Sequence, residues 1–176
     1  NLTVPVAGQL VTTAAATWAA TALLVGPFSD TYGRKPILLT GTSFLAVGSS
    51  GLAFAPGFAE AIGFSVLIGV GGGMVPPTCI AVIGDIFPAP RKPISIAIIT
   101  MQPGMSSVVA VPLAAVLGDF AGWRVAFAAL GGALLLATLI LFLLVPHHRP
   151  PAARLDFGGR FRRVAACSVT WAMAGT

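Results

Sequence analysis

An acid and two bases stand close together in the stretch Gly26-Pro27-Phe28-Ser29-Asp30-Thr31-Tyr32-Gly33-Arg34-Lys35-Pro36-Ile37-Leu38. Asp30 closes an apolar run, where a carboxylate needs a cationic partner or a helix N-terminus. Gly33 supplies a backbone angle that other residues resist, and Gly26 is expected to let a neighbouring helix approach closely. These residue types make ion pairs and a tight turn between antiparallel helices, not bonds in a substrate. An enzyme would need converging acid, base, nucleophile or metal groups, and the other candidates do not converge. His147 and His148 are adjacent, but no nearby carboxylate or cysteine completes a metal site. Cys79 and Cys167 sit in separate apolar segments and read as ordinary small apolar residues. No Walker-type phosphate loop occurs, so the chain does not read as an ATP-driven pump. No cofactor is implied, and no metal.

The elements that position this stretch follow from composition. Of 176 residues, 56% are hydrophobic and 9% charged, whereas a soluble domain carries about 25% charged residues. A mean hydropathy of +0.94 is too apolar for a surface in water. A membrane-crossing helix needs about 20 mostly apolar residues. Five stretches qualify: 6–27, 36–55, 60–87, 94–117 and 123–145. They are continuous, without the alternation of a membrane-spanning strand, and a helix satisfies its own backbone in lipid. Residues 1–145 therefore read as one all-α membrane bundle. Residues 146–163 read as a basic loop, and 164–176 as the start of a further span. The expected connectors are Ser29–Lys35, Pro56–Ala59, Pro88–Pro93, Gly118–Gly122 and Pro146–Arg163. Pro76, Pro77, Pro103 and Pro112 predict broken or kinked helix inside the spans. Gly69, Gly71, Gly72, Gly73, Gly131 and Gly132 predict close helix packing or a pliable span.

The charges set a topology. Of ten basic residues, Arg34 and Lys35 follow the first span, and Arg91 and Lys92 the third. Arg149, Arg154, Arg160, Arg162 and Arg163 follow the fifth. With alternating spans these connectors share one side, and only Arg124 falls on the other. The positive-inside rule makes the basic side cytoplasmic and Asn1 external, in a plasma (inner) membrane. The pI near 10.3 is thereby explained without nucleic acid as a partner.

The stretch from Gly26 to Lys35 resembles the signature loop between helices 2 and 3 of the major facilitator superfamily, Gly-x-Leu-Ala/Ser-Asp-Arg/Lys-x-Gly-Arg-Arg/Lys. Gly26, Ser29, Asp30, Gly33, Arg34 and Lys35 match; Phe28 replaces the usual leucine and Thr31 the usual basic residue. Leu67 to Pro76 and Ile83 to Pro88 are similar to helix 4 of drug and sugar efflux members. Asp119-Phe120-Ala121-Gly122-Trp123-Arg124 is similar to their loop entering helix 6. The resemblance implies the N-terminal half of a major facilitator fold, helices 2–6, lacking helix 1. It implies that Arg34 meets Asp85 at the cytoplasmic end of helix 4. It implies also that Asp30 meets a helix of the other half, the contacts breaking as the halves rock. The family builds each half from inverted three-helix repeats. The loop around Gly33 and the loop around Gly122 occupy equivalent places, each with Asp three residues before Gly and Arg soon after.

Two departures narrow the function. Where many proton-coupled members carry arginine and glutamine in helix 4, this chain has Ser65 and Ile68. Where antiporters carry a glycine-rich helix 5 motif, only Pro112 remains. No ionisable residue stands mid-membrane in the five spans, where a charge would cost about 2.5–3.5 kcal/mol on insertion scales. Thr17, Trp18, Thr21 and Gln102 are the polar or amphipathic groups inside spans and the candidates for lining a solute path; an apolar path suits hydrophobic drug-like solutes. The function expected is alternating-access transport of a small solute, with efflux of drug-like or amphipathic compounds as the first reading. A sugar or metabolite permease of the same superfamily is the second, and a membrane receptor or embedded enzyme the reading from another class. The partners expected are the lipid bilayer, a small-molecule solute, protons as candidate coupling ion, and the missing C-terminal half of the same chain. The chain starts at Asn1 and stops inside an apolar run, so both ends are expected to be cuts.

Overall fold

The computed structural model of the chain describes residues 4–144, all of whose regular structure is helical. Five helices run in order: α1 (Val4–Tyr32), α2 (Arg34–Phe54), α3 (Phe58–Ile86), α4 (Lys92–Ala121) and α5 (Trp123–Leu144). Each is long and apolar enough to cross a membrane. This matches the all-α bundle expected from five continuous apolar runs. The expected basic loop 146–163 and the run from 164 lie outside the described residues, as do His147, His148 and Cys167.

Two connectors are far shorter than the sequence suggests. Helix α1 continues through Ser29 and Asp30 to Tyr32, and α2 starts at Arg34, so only Gly33 separates them. Helix α4 likewise runs through Gly118–Ala121, and Gly122 alone precedes α5. Both turns depend on glycine: Gly33 has φ 96° and ψ 157°, and Gly122 has φ 84° and ψ 155°. These are the only positive-φ residues among those described. A side chain at such an angle costs about 1–3 kcal/mol, so a one-residue reversal is open to glycine and little else. The prolines do not break their helices. Pro76 and Pro77 lie inside a continuous α3, and Pro103 and Pro112 inside a continuous α4.

The core is built on α2, which packs against both α3 and α5, while α1 lies on α3. The small residues of α2 and α3 make this closeness feasible. A Cβ on Gly71 would meet the Gly41 carbonyl oxygen at 2.5 Å and the Leu45 amide nitrogen at 2.8 Å. Gly69 and Gly73, one turn apart, face α1: a Cβ on Gly73 would meet the Trp18 carbonyl oxygen at 2.5 Å, and one on Gly69 would overlap Thr17. Bare backbone thus touches bare backbone, as expected where lipid provides no hydrophobic drive for helix pairing. Gly26 does not behave as expected, because nothing lies within 4 Å of the Cβ it lacks. Gly132 is equally open, whereas Gly131 packs on Ser50 of α2. A small residue marks a close approach only when its helix face carries a neighbour. Helix α4 touches α5 and the edge of α3, and none of its described residues is buried.

Candidate functional site

The site forms where α1 ends, α2 begins and α3 ends. The Gly33 amide donates to the Ser29 carbonyl oxygen at 3.2 Å, closing α1. The left-handed turn then throws Arg34 back over the last turn of α1. The Thr31 hydroxyl donates to the Pro27 carbonyl oxygen at 2.9 Å, so this residue, where a base was usual in the motif, folds onto its own helix. Phe28 stacks on Tyr32 with ring centroids 6.3 Å apart.

Arg34 binds three elements together. Its Nη1 lies 2.7 Å from Asp30 Oδ1 and donates to Ser29 Oγ at 3.0 Å. Its Nε donates to Asp85 Oδ2 at 3.0 Å. Ser29 is buried at 1% exposure, whereas the Asp85 side chain is 55% exposed, so the cluster runs from the helix junction out to water. Each charge sits at the wrong end of its own helix. Asp30 and Asp85 lie in the last turns of α1 and α3, where the helix dipole is negative, and Arg34 opens α2, where it is positive. Every member is disfavoured by about 0.3–1 kcal/mol on its own helix and favoured only by the others. Solvent-accessible pairs are each worth about 0–1 kcal/mol. Such a network ties the end of α3 to the α1–α2 junction with a small net free energy.

Lys35 goes elsewhere. It is 8% exposed, and its Nζ donates to the Phe142 carbonyl oxygen of α5 at 3.0 Å. Lys35 therefore stands apart from the acids, although sequence spacing put it in one set with Arg34. Gly26 lies one turn back on an open face. Thr17 donates to the Thr13 and Ala14 carbonyl oxygens at 2.9 and 3.0 Å, and with Thr21 it packs on the α3 glycines. Trp18 is half exposed at 48%. Gln102 and Pro112 are exposed on α4. The structure brings together Asp30, Arg34 and Asp85; of the path-lining candidates, Thr17, Trp18 and Thr21 gather on α1 against the α3 glycines, and Gln102 lies on α4. Ser29, which the sequence reading took only as a motif match, is a fourth member. Its signal was a small hydroxyl beside the acid, five residues before Arg34. Among the described residues no three His, Cys, Asp or Glu side chains group to hold a metal.

The family model of the Major Facilitator Superfamily matches residues 1–174. The chain is 27% identical over 147 residues to multidrug resistance protein 3 of Bacillus subtilis, covering 81% of this chain and 28% of that protein. It is 31% identical over 153 residues to a gallate transporter of Pseudomonas putida, covering 80% and 34%. It is 33% identical over 129 residues to a chloramphenicol resistance protein of Pseudomonas aeruginosa, covering 72% and 30%. The chain thus spans about a third of the length of these relatives. Five apolar helices, the Gly33 turn and a match over nearly the whole sequence lead to one assignment: the chain belongs to the Major Facilitator Superfamily.

Proposed function

We propose that this chain is the N-terminal part of a secondary transporter that carries a small solute across the membrane by alternating access. In this reading the Asp30–Arg34–Asp85 cluster is a latch on the cytoplasmic face. The observation that carries it is Arg34 bridging the ends of α1, α2 and α3 at 2.7–3.0 Å, with every charge set against its own helix dipole. The latch closes in the outward-facing state, when the missing half meets this face at Asp30, and opens when the halves rock apart. The clustering of bases at one membrane side supports a cytoplasmic orientation for this face, with Asn1 outside, and a plasma (inner) membrane is the proposed location.

Efflux of drug-like amphipathic compounds is the substrate class proposed. Multidrug resistance protein 3 and the chloramphenicol resistance protein support it by name, as does the apolar character of the spans. Trp18 and Gln102, exposed on α1 and α4, are the path-lining candidates that remain; Thr17 and Thr21 serve packing. The gallate transporter supports the second reading, a metabolite permease. Protons are the proposed coupling ion, held by groups outside α1–α5, since these helices carry their acids and bases only at their ends. The test uses the full-length protein in proteoliposomes under a proton gradient. Export of ethidium without uptake of gallate supports efflux, gallate uptake alone supports the permease, and movement of neither counts against both.

A further inference from the structure

The turns at Gly33 and Gly122 share more than their backbone angles. Two residues after each glycine stands a cation, Lys35 and Arg124. Each reaches across to the other's helix and donates to a backbone carbonyl there. Lys35 Nζ, from the first turn of α2, donates to the Phe142 carbonyl oxygen of α5 at 3.0 Å. Arg124 Nη2, from the first turn of α5, donates at 3.4 Å to the carbonyl oxygen of Ala55, which caps α2. The Ala55 carbonyl caps the C-terminus of α2, where carbonyls have no partner within their helix, and a cation there also meets the negative end of the dipole. Both cations lie against aromatic rings: Lys35 Nζ is 5.4 Å from the centre of the Phe142 ring, and the Arg124 guanidinium is 5.3 Å from that of Trp123. Between the clasps, nearer the Arg124–Ala55 one, a Cβ on Gly131 would strike Ser50, at 2.8 Å from its amide nitrogen. Contacts therefore fall at three places along one antiparallel pair.

We infer that Lys35 and Arg124 are positioning residues that clasp α2 and α5 at both ends into one rigid antiparallel unit. This deepens the reading of the Gly26–Lys35 segment as a latch, on which it rests only in part: Arg34 serves the latch, and Lys35 serves a fixed strut beside it. The clasp needs no motion and no solute. It predicts that α2 and α5 keep their mutual distance while the latch opens and closes.

Hydrogen-exchange mass spectrometry on the full-length protein in lipid nanodiscs tests it. Lys35→Met removes one charged donor, and exchange around Phe142 is expected to rise about tenfold while the α2 end is unchanged. Arg124→Met raises exchange at the Ala55 end alone and by less, its bond being longer. Lys35→Arg retains a donor and restores the Phe142 end. No change at either end, or an even rise over all five helices, overturns the clasp. Spin labels on the exposed Thr40 and Leu139 give a second measurement without altering either cation, should Lys35→Met fail to fold. One narrow distance, the same with and without ethidium, supports the strut; a distance that shifts overturns it. Flux of ethidium, measured on the labelled protein in liposomes, separates the two claims: a constant distance with no flux supports the strut and counts against the efflux reading.

Discussion

The turns at Gly33 and Gly122 have the same backbone and different work. In both, a glycine at φ 96° or 84° breaks two long helices in a single residue. In both, its amide bonds the carbonyl four residues back, at 3.2 and 3.0 Å, an acid precedes it by three residues, and a cation follows by two. The difference lies in the residue immediately after the glycine. At the first turn it is Arg34, which gathers Asp30, Ser29 and Asp85. At the second it is Trp123, which packs edge-on to Phe127 at 6.3 Å, and no ion pair involves Asp119 among the described residues. The two turns thus supply the two clasps of one proposed strut, and under the proposed reading the residue after the glycine decides which turn serves as a latch.

The glycines offer the hardest way to break the likeness. Gly33→Ala and Gly122→Ala each force a side chain into the positive-φ region, and each should lower stability by about 1–3 kcal/mol. Thermal unfolding of the full-length protein in detergent measures this; a drop at one turn only would mean the turns are not equivalent. Arg34→Met comes next. It strands Asp30 and Asp85 at two helix C-termini, for a loss of about 1–2 kcal/mol and a fall in flux. Arg34→Lys should recover only part of both, because an ammonium lacks the planar fork that serves three oxygens on fixed sides. The gentlest change is Trp123→Arg, which copies the latch residue into the second turn beside Asp119. The new pair is worth about 0.2–1 kcal/mol and offsets the lost aromatic contact, so melting should scarcely move. Flux should slow, since both membrane faces would then carry a latch; an unchanged rate would mean that latching needs more than this one residue.

The sequence made some of this legible through spacing and topology. Arg34 and Asp85 are far apart in the chain, yet counting spans put both on one face, and the structure pairs them at 3.0 Å. The need for a positive φ at Gly33 was likewise readable, because the turn had to be tight. The helical path of Ser29-Asp30-Thr31 was not. These residues favour turns when their side chains compete for backbone. Here Ser29 and Asp30 are engaged by Arg34, and Thr31 bonds within its own helix, so the competition is removed. The partner of Lys35 was hidden for a different reason. It is a backbone carbonyl 107 residues away, and a carbonyl has no sequence signature. Gly26 shows the converse fault, since its size was visible and the helix face it lies on was not.

The most direct test of the latch is solute flux through the full-length protein carrying Asp30→Asn, with folding checked by monodispersity and melting. The amide keeps the shape of the side chain and loses its charge. The expected result is a folded protein whose flux falls several-fold, in line with the ~1 kcal/mol of a solvent-accessible charge pair. A folded Asp30→Asn protein that transports at the unaltered rate would contradict it.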